Sequence, residues 1–319
     1  MREMTPKLDS ELERLKHEPK ILFEANLWPV QGPRFQPTGF PDLGAAEYTA
    51  PDGTQMLLVE SPQSMANRME EVCWDPQAED LIEPLRGLPY VKVELDDEGN
   101  FTNSILEAHR LNSEYITGKM NKGFKERLSN ELGYDGEKPV QFARLHKVLF
   151  KYDPNSLIHG IFLEEIGGRL RVPRMLSAFI EAYGVKPVQS GGVKFSRVEP
   201  GRKGGEGNVP FARTEFVAER ITACFNIDLA GIRGLGLGEL PEKLLIALSL
   251  YKIQRFLKEG LRLRTACDLR CKEGLMVVEP KGFTVPSERE LEEGLIQYIK
   301  ECKSEGLFSD SPLVLKLRE

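Results

Sequence analysis

Apolar residues recur along this chain with two different periods, and the change of period marks out its elements. Alternation with a period of two predicts a strand from Lys20 to Val30, and Asp52-Gly53 predicts a hairpin turn leading into a second strand, Gln55 to Glu60. Between them, Gln31 to Pro41 reads as a polar loop braced by prolines and glycines. A helix is then predicted from Pro62 to Trp74, with Ser61 as its N-cap and Pro62 at the first helical position. At 3.6 residues per turn Met65, Ala66, Met69, Val72 and Cys73 share one side, and Gln63, Ser64, Asn67 and Arg68 share the other.

The same reading carries down the chain. It predicts a strand Tyr90 to Leu95, helices Lys119 to Leu132 and Pro139 to Lys151, and a helix Pro173 to Tyr183. A strand Val185 to Val198 follows, broken at Gly191-Gly192, then a glycine-rich loop Gly201 to Asn208 and a strand Glu215 to Leu229. Helix Pro241 to Glu259, strand Leu261 to Leu269, an extended segment near Leu275 to Val285 and helix Ser287 to Ser304 complete it. If the early strand and helix pair with the later strand, strand, helix and strand, the core is βαββαβ with long insertions, an α+β ferredoxin-like layout, while the same periods also allow other α+β folds.

Two segments in this pattern carry candidate chemistry. The capped helix start suits an anion, because backbone N–H groups at a helix N-terminus face outward. The loop interleaves Gln31, Arg34 and Gln36 with Phe35 and Phe40, placing donors beside flat apolar rings as single-stranded nucleic acid requires. Arg262, Arg264 and Arg270 alternate in their predicted strand, so a period of two puts all three on one face. A solvated face and a phosphate-holding row both fit that pattern.

Charge sharpens the picture. The 319 residues sum to a net charge of −6, which taken alone argues against nucleic acid. From Glu60 to Glu107, however, 12 acidic residues face 3 basic ones, whereas Arg169 to Arg213 holds 9 basic and 3 acidic, and Lys252 to Lys272 holds 7 basic and 2 acidic. This asymmetry fits one basic groove and an acidic back. The run Arg233-Gly234-Leu235-Gly236-Leu237-Gly238 has GxGxG spacing rather than the dinucleotide GxGxxG, so a tight connection is expected there. The five cysteines lack metal or disulfide spacing, and His17, His109, His146 and His159 lie in no metal or catalytic motif. No catalytic residue, metal or cofactor is therefore expected. No apolar run is long enough to span a bilayer, and the polar stretch Met1 to Lys20 has no apolar signal core, so a cytoplasmic protein is expected.

Taken in order, the segments QGPRFQPTGFPDLGAA, LVESPQSMANRMEEVCW, EPLRGLPYVKV, SILEAHRLNS, SGGVKFSRV, GNVPF and LRLRTACDL resemble the backbone subunit of the type I-G, formerly I-U, CRISPR Cascade effector. That subunit belongs to the Cas seven group of the RAMP superfamily. The resemblance implies a single chain over 1–319 with a modified RNA-recognition palm, helical fingers and a thumb loop. The palm would comprise 20–98 and 166–286, the fingers 99–165, the thumb a loop near 199–212, and a C-terminal helix and tail 287–319. It implies that Gln63, Ser64 and Arg68 meet the guide-RNA backbone, with Asn67 departing from the basic residue expected there. Arg34, Arg169, Arg171, Arg174, Lys194 and Arg197 would help, beside the candidates Gln31, Gln36, Arg262 and Arg264. The implied partners are guide RNA, a target DNA strand, other copies of the chain and other Cascade subunits. The implied function is antiviral defence without catalysis, cleavage being left to a recruited nuclease. A RAMP ribonuclease acting on guide transcript or target RNA is the alternative, with Asp42 as the loop aspartate to watch.

Overall fold

The computed structural model describes residues 6–40, 42–134, 137, 139–195 and 208–317. Its centre is an eight-stranded antiparallel sheet. The strands run in the order Arg262–Arg264, Cys267–Cys271, Ile21–Pro29, Arg220–Ile227, Leu176–Tyr183, Gln55–Glu60 and Glu47–Thr49, and Met276–Glu279 also pairs with Ile21–Pro29. Helix Pro62–Glu71 packs on strand Leu176–Tyr183, and helix Glu239–Glu259 packs on Arg220–Ile227 and Cys267–Cys271. Strand, helix, strand, strand, helix, strand is thus the order of the core, and in the sheet its four strands lie fourth, first, third, second. That layout requires each strand to be apolar on the helix side only. Ile21, Phe23, Ala25 and Leu27 are buried accordingly, opposite Ile227, Phe225, Ala223 and Ile221.

One predicted helix is a strand. Leu176–Tyr183 contains helix-forming Ala, Leu and Glu behind Pro173, yet Leu176, Ala178, Ile180 and Ala182 are buried while every second residue is half-buried. Period two overrides propensity once both neighbours offer a ladder. The predicted strand Glu215 to Leu229 is two strands in different sheets. Asn208–Val217 pairs with Lys186–Phe195 as a separate ribbon, and Arg220–Ile227 belongs to the main sheet. Nor do Gly191 and Gly192 break their strand. A Cβ on Gly191 would come within 2.4 Å of the Phe211 carbonyl oxygen, so the glycine permits the close pairing. Positions 201–207 of the predicted glycine-rich loop lie outside the described residues.

Smaller differences have similar origins. Helix Lys122–Leu132 starts after a 3₁₀ turn at Lys119–Asn121, and the segment near Leu275 to Val285 narrows to strand Met276–Glu279. Helix Glu288–Ser304 begins on a capping box between Ser287 and Glu290. The tail beyond it is not featureless, since Leu313–Lys316 adds in parallel to Val91–Glu94. At the other end, helix Pro6–Arg14 seats Leu8 and Leu12 in the core, which the charged composition of the terminus concealed. The glycine run at 233–238 is the expected tight connection, with positive φ at Gly236 and Gly238.

Aromatic contacts join the layers, as where the Phe225 ring on the sheet meets Phe256 on the long helix, 6.4 Å between centroids. Phe256 has no exposed surface. Replacing it in Phe256→Ala should cost about 3–5 kcal/mol of unfolding free energy, measured by denaturant titration.

Candidate nucleic-acid interface

The strand Gln55–Glu60 ends on a carboxylate that has no route to solvent: Glu60 is 1% exposed. A buried carboxylate must be paired. Glu60 takes both Arg264, which also donates to the carbonyls of Gln36 (2.8 Å) and Val59 (3.3 Å), and Arg68, whose Nε lies 3.4 Å away. Arg68 donates in addition to the Leu263 carbonyl at 2.6 Å. Thr38 donates its amide to Val59, and Gln36 donates its own to Ala266. The polar loop, the helix start and the strand Arg262–Arg264 are therefore tied around one carboxylate.

This corrects two expectations. Arg68 and Arg264, expected as free phosphate ligands, are each about three-quarters buried and committed to Glu60. The row of three arginines on one face dissolves as well, because the predicted strand Leu261 to Leu269 is two antiparallel strands, Arg262–Arg264 and Cys267–Cys271, and the register shifts between Arg262 and Arg264. Only Arg262, paired across from Asp268, and Arg270, two positions on, keep a common face. The loop offers one aromatic platform fewer than its composition suggested. Phe35 is 1% exposed and exchanges both backbone hydrogen bonds with Phe216 at the root of the ribbon. Beside it, Arg34 and Arg213 share the buried carboxylate of Glu215 at 3.2 and 2.6 Å. Gln36, Thr38, Arg213, Thr214 and Arg264 line a polar cleft of about 870 Å³ between loop and ribbon, while Gln31 lies exposed at the loop's start.

A second concavity, of about 680 Å³, opens at the helix start. Ser61 caps Ser64's amide at 3.3 Å, leaving fewer free N–H groups than a bare helix end would have. Gln63 is exposed, donates to Asn67 Oδ1 at 3.4 Å, and accepts from Arg174. Arg174 also donates to the His159 carbonyl at 3.2 Å. Arg171 lies over the Phe162 ring, 4.1 Å from its centroid, and His109 and Asn112 complete the polar rim. Gln63, Arg171 and Arg174 thus converge from segments more than 100 residues apart. Arg169 is exposed on the turn before them and Ser64 and Asn67 are half-buried on the helix. Lys194 belongs to the ribbon, and Arg197 lies outside the described residues.

Beneath this groove sits a buried charge cluster that sequence periodicity does not reveal. Glu70 falls on neither face singled out by the helical period, yet it is 1% exposed and holds Arg110 in a bidentate pair at 2.8 and 2.7 Å. Arg110 has φ +53° and donates further to the Gly160 carbonyl at 3.2 Å. Lys252 donates to Asn155 and to His159 Nε2, 2.9 Å away, which places the ring proton on Nδ1. Burial, reinforced by Lys252 and Arg110, pushes the pKa of His159 well below its ordinary value, so the ring is neutral. Burial pushes the Glu70 carboxyl up to about 7 against the pull of Arg110 and Lys252. Burial also lowers Arg174. His146 has a structural partner, its Nδ1 lying 3.1 Å from the Leu235 carbonyl. No group of three metal-ligating side chains occurs among the described residues, and no helix there is long and apolar enough to cross a membrane.

The model of a protein family described as CRISPR-associated protein GSU0053 matches residues 21–187, just over half of the sequence. The chain belongs to that family. The ordered segments of the sequence pointed to the same CRISPR association. The GSU0053 match contains the polar loop, the capped helix, Arg110 and the arginines 169, 171 and 174. A chain of a "CRISPR RNA-guided surveillance complex, pre-nicking" aligns at 13% identity over 90% of this chain and 89% of that one, TM-score 0.42. Csc2 of Thermofilum pendens aligns at 10% identity over 96% and 80%, TM-score 0.32. Both scores fall below the level at which a common fold follows. Curated proteins include no match.

Two predictions test the electrostatics of this GSU0053-family site. Glu60→Gln leaves two mostly buried guanidiniums against a neutral amide and should cost about 3 kcal/mol of stability by denaturant titration. Glu70 binds its proton more tightly folded than unfolded, so stability falls as pH rises from its unfolded value toward 7. Across that window the loss attributable to Glu70 is at most roughly 3 kcal/mol, and Glu70→Gln should flatten the slope in melts at stepped pH.

Proposed function

We propose that the chain is a non-catalytic backbone subunit of a CRISPR surveillance complex, several copies of which line up along one guide RNA and present it to a target DNA strand. The observation that carries this reading is the convergence of Gln63, Arg171 and Arg174 in one open groove at the capped start of helix Pro62–Glu71, in a chain of a CRISPR-associated family. Guanidinium and amide donors on a rigid scaffold hold phosphates without reading bases, which suits a subunit whose sequence specificity resides in its guide.

In this reading the βαββαβ sheet and its two helices are a modified RNA-recognition palm, 20–98 and 166–286, within a single chain. The helical insertion 99–165 supplies fingers, the two-stranded ribbon ending in the segment near 199–212 supplies the thumb, and 287–319 closes the palm. Gln63, Arg171 and Arg174 contact the RNA backbone, with Ser64, Asn67 and Arg169 at the margin. Arg34, Gln36, Arg68 and Arg264 shape the adjoining cleft, and each arginine pair there exceeds its buried carboxylate by one positive charge. Gln31, Lys194, Arg197 and Arg262 extend the basic rim. Other complex subunits bind outside this rim, and the protein works in the cytoplasm.

One observation favours a second reading. His109 is exposed on the rim of the same groove, where a general acid or base of a RAMP ribonuclease would stand. Asp42, the aspartate of a target-cutting alternative, is exposed in a turn beside the cleft.

Arg174→Glu reverses charge at the centre of the groove. It should reduce RNA co-purifying with the complex about tenfold at moderate salt, measured by absorbance ratio and phosphate content. Unchanged RNA would remove the groove from the interface. On labelled guide or target RNA, the complex should produce no cuts; cuts abolished by His109→Ala or Asp42→Ala would establish the ribonuclease instead.

A further inference from the structure

The face of the central sheet turned away from the helices carries chemistry opposite to that of the groove. Leu22, Glu24 and Asn26 alternate on strand Ile21–Pro29, facing Asn226, Cys224 and Thr222 in register, with Ser177, Phe179, Glu181 and Tyr183 on the next strand. In RNA-recognition modules this face stacks bases, flanked by cations. Here its centre holds two carboxylates, Glu24 and Glu181, on either side of Thr222 and Cys224. Glu181 accepts from the Tyr48 hydroxyl, whereas the Glu24 carboxylate has no hydrogen bond or ion pair among the described residues.

Glu24 borders a pocket of about 270 Å³, the size of one long side chain. Phe179, Leu22 and Val278 form its apolar wall, and Ser177, Cys224 and Asn226 its polar floor. Two oxygens on this face are buried without a partner among the described residues, Asn226 Oδ1 in the pocket and Thr222 Oγ1 beside it, and Thr222 is only 2% exposed. Buried acceptors and an unpaired carboxylate cost free energy unless a donor fills the site. A phosphate is repelled by Glu24 and finds no donor row here. An alkyl stem ending in a cation fits: apolar wall for the stem, carboxylate and amide oxygen for the head.

We propose that this pocket takes an arginine or lysine side chain of a partner protein, with Glu24 as counter-charge, Asn226 as acceptor and Phe179 against the stem. The sheet then has two separate uses, a basic edge toward nucleic acid and an acidic open face toward protein. The proposal does not depend on the RNA reading of the groove.

Cys224 reports occupancy, because it lines the pocket while the equally half-buried Cys271 does not. Burial pushes the Cys224 thiol up to about 11, so full-length protein is alkylated with iodoacetamide at about pH 9 for long enough that its minor thiolate fraction reacts, and both cysteines are followed by peptide mass spectrometry. Nα-acetyl-arginine amide should slow Cys224 saturably, by about threefold at the highest concentration, and leave Cys271 unchanged. The neutral isostere Nα-acetyl-citrulline amide should give no protection. Glu24→Gln should abolish the protection, and Phe179→Ala should weaken it, each with an unchanged circular dichroism spectrum. Absence of protection, equal protection by citrulline, or protection by an RNA oligonucleotide instead would overturn the proposal.

Discussion

A buried carboxylate at the end of strand Gln55–Glu60 holds the functional edge of this molecule together. Glu60 stands immediately before the N-cap Ser61, so whatever fixes its side chain also fixes where the helix begins. Its two arginines come from the next helix and from a strand some 200 residues later, and they also donate to the carbonyls of Gln36, Val59 and Leu263. Guanidinium suits this role because one planar group can satisfy a carboxylate and two carbonyls together. Without that carboxylate the polar loop would keep its backbone bonds to Ala266, Phe216 and Val59 and the Arg34–Glu215 pair, but would lose the anchor that positions Arg264 against the Gln36 carbonyl.

The same device recurs. Glu215 holds Arg34 and Arg213 at the root of the ribbon, and Glu70 holds Arg110 below the groove, with Lys252 and Arg174 near enough to influence its titration or be influenced by it. Glu60 and Glu215 each anchor two arginines, more positive charge than they cancel, whereas Glu70 pairs one to one with Arg110. That arrangement reconciles an acidic chain with a basic edge, since the surplus is concentrated where buried glutamates fix it, and most acidic residues lie elsewhere. It also changes what such an arginine does: pinned before any ligand arrives, it loses little side-chain entropy on contact.

The sequence made the βαββαβ order legible only in part: the first strand and the two helices carry clear periodicity, the third and fourth strands were read with bounds that run into neighbouring strands, and Val185 to Val198 of the ribbon stood where the remaining core strand belongs. That strand, Leu176–Tyr183, was misread because its small and apolar residues satisfy helix propensity, and only pairing with Arg220–Ile227 and Gln55–Glu60 distinguishes the two. Of the candidate site, Gln63 stood out beside the helix cap, and Arg171 and Arg174 within a basic stretch. The fates of Arg68, Arg264 and Phe35 were not legible, because each is decided by a partner remote in sequence: Leu263 for Arg68, Glu60 and Gln36 for Arg264, and Phe216 for Phe35. Glu70 and Arg110 left no signal, since one falls between the two faces of its helix and the other sits at a left-handed φ that its charge partner sustains.

Separation of charge between the two sides of the sheet sets how such a chain can be used. A phosphate reaching the groove meets Arg171 and Arg174 with only Glu164 as an acidic neighbour on its lining, whereas one reaching the open face meets Glu24 and Glu181 near its centre. At physiological ionic strength the Debye length is about 8 Å, so the two fields act independently across the thickness of sheet and helix. Mobile ions weaken the exposed groove contacts, while the fully buried pair Glu70–Arg110 is screened far less. Salt would therefore release a polyanion held at the edge as proposed without loosening the scaffold that shapes it.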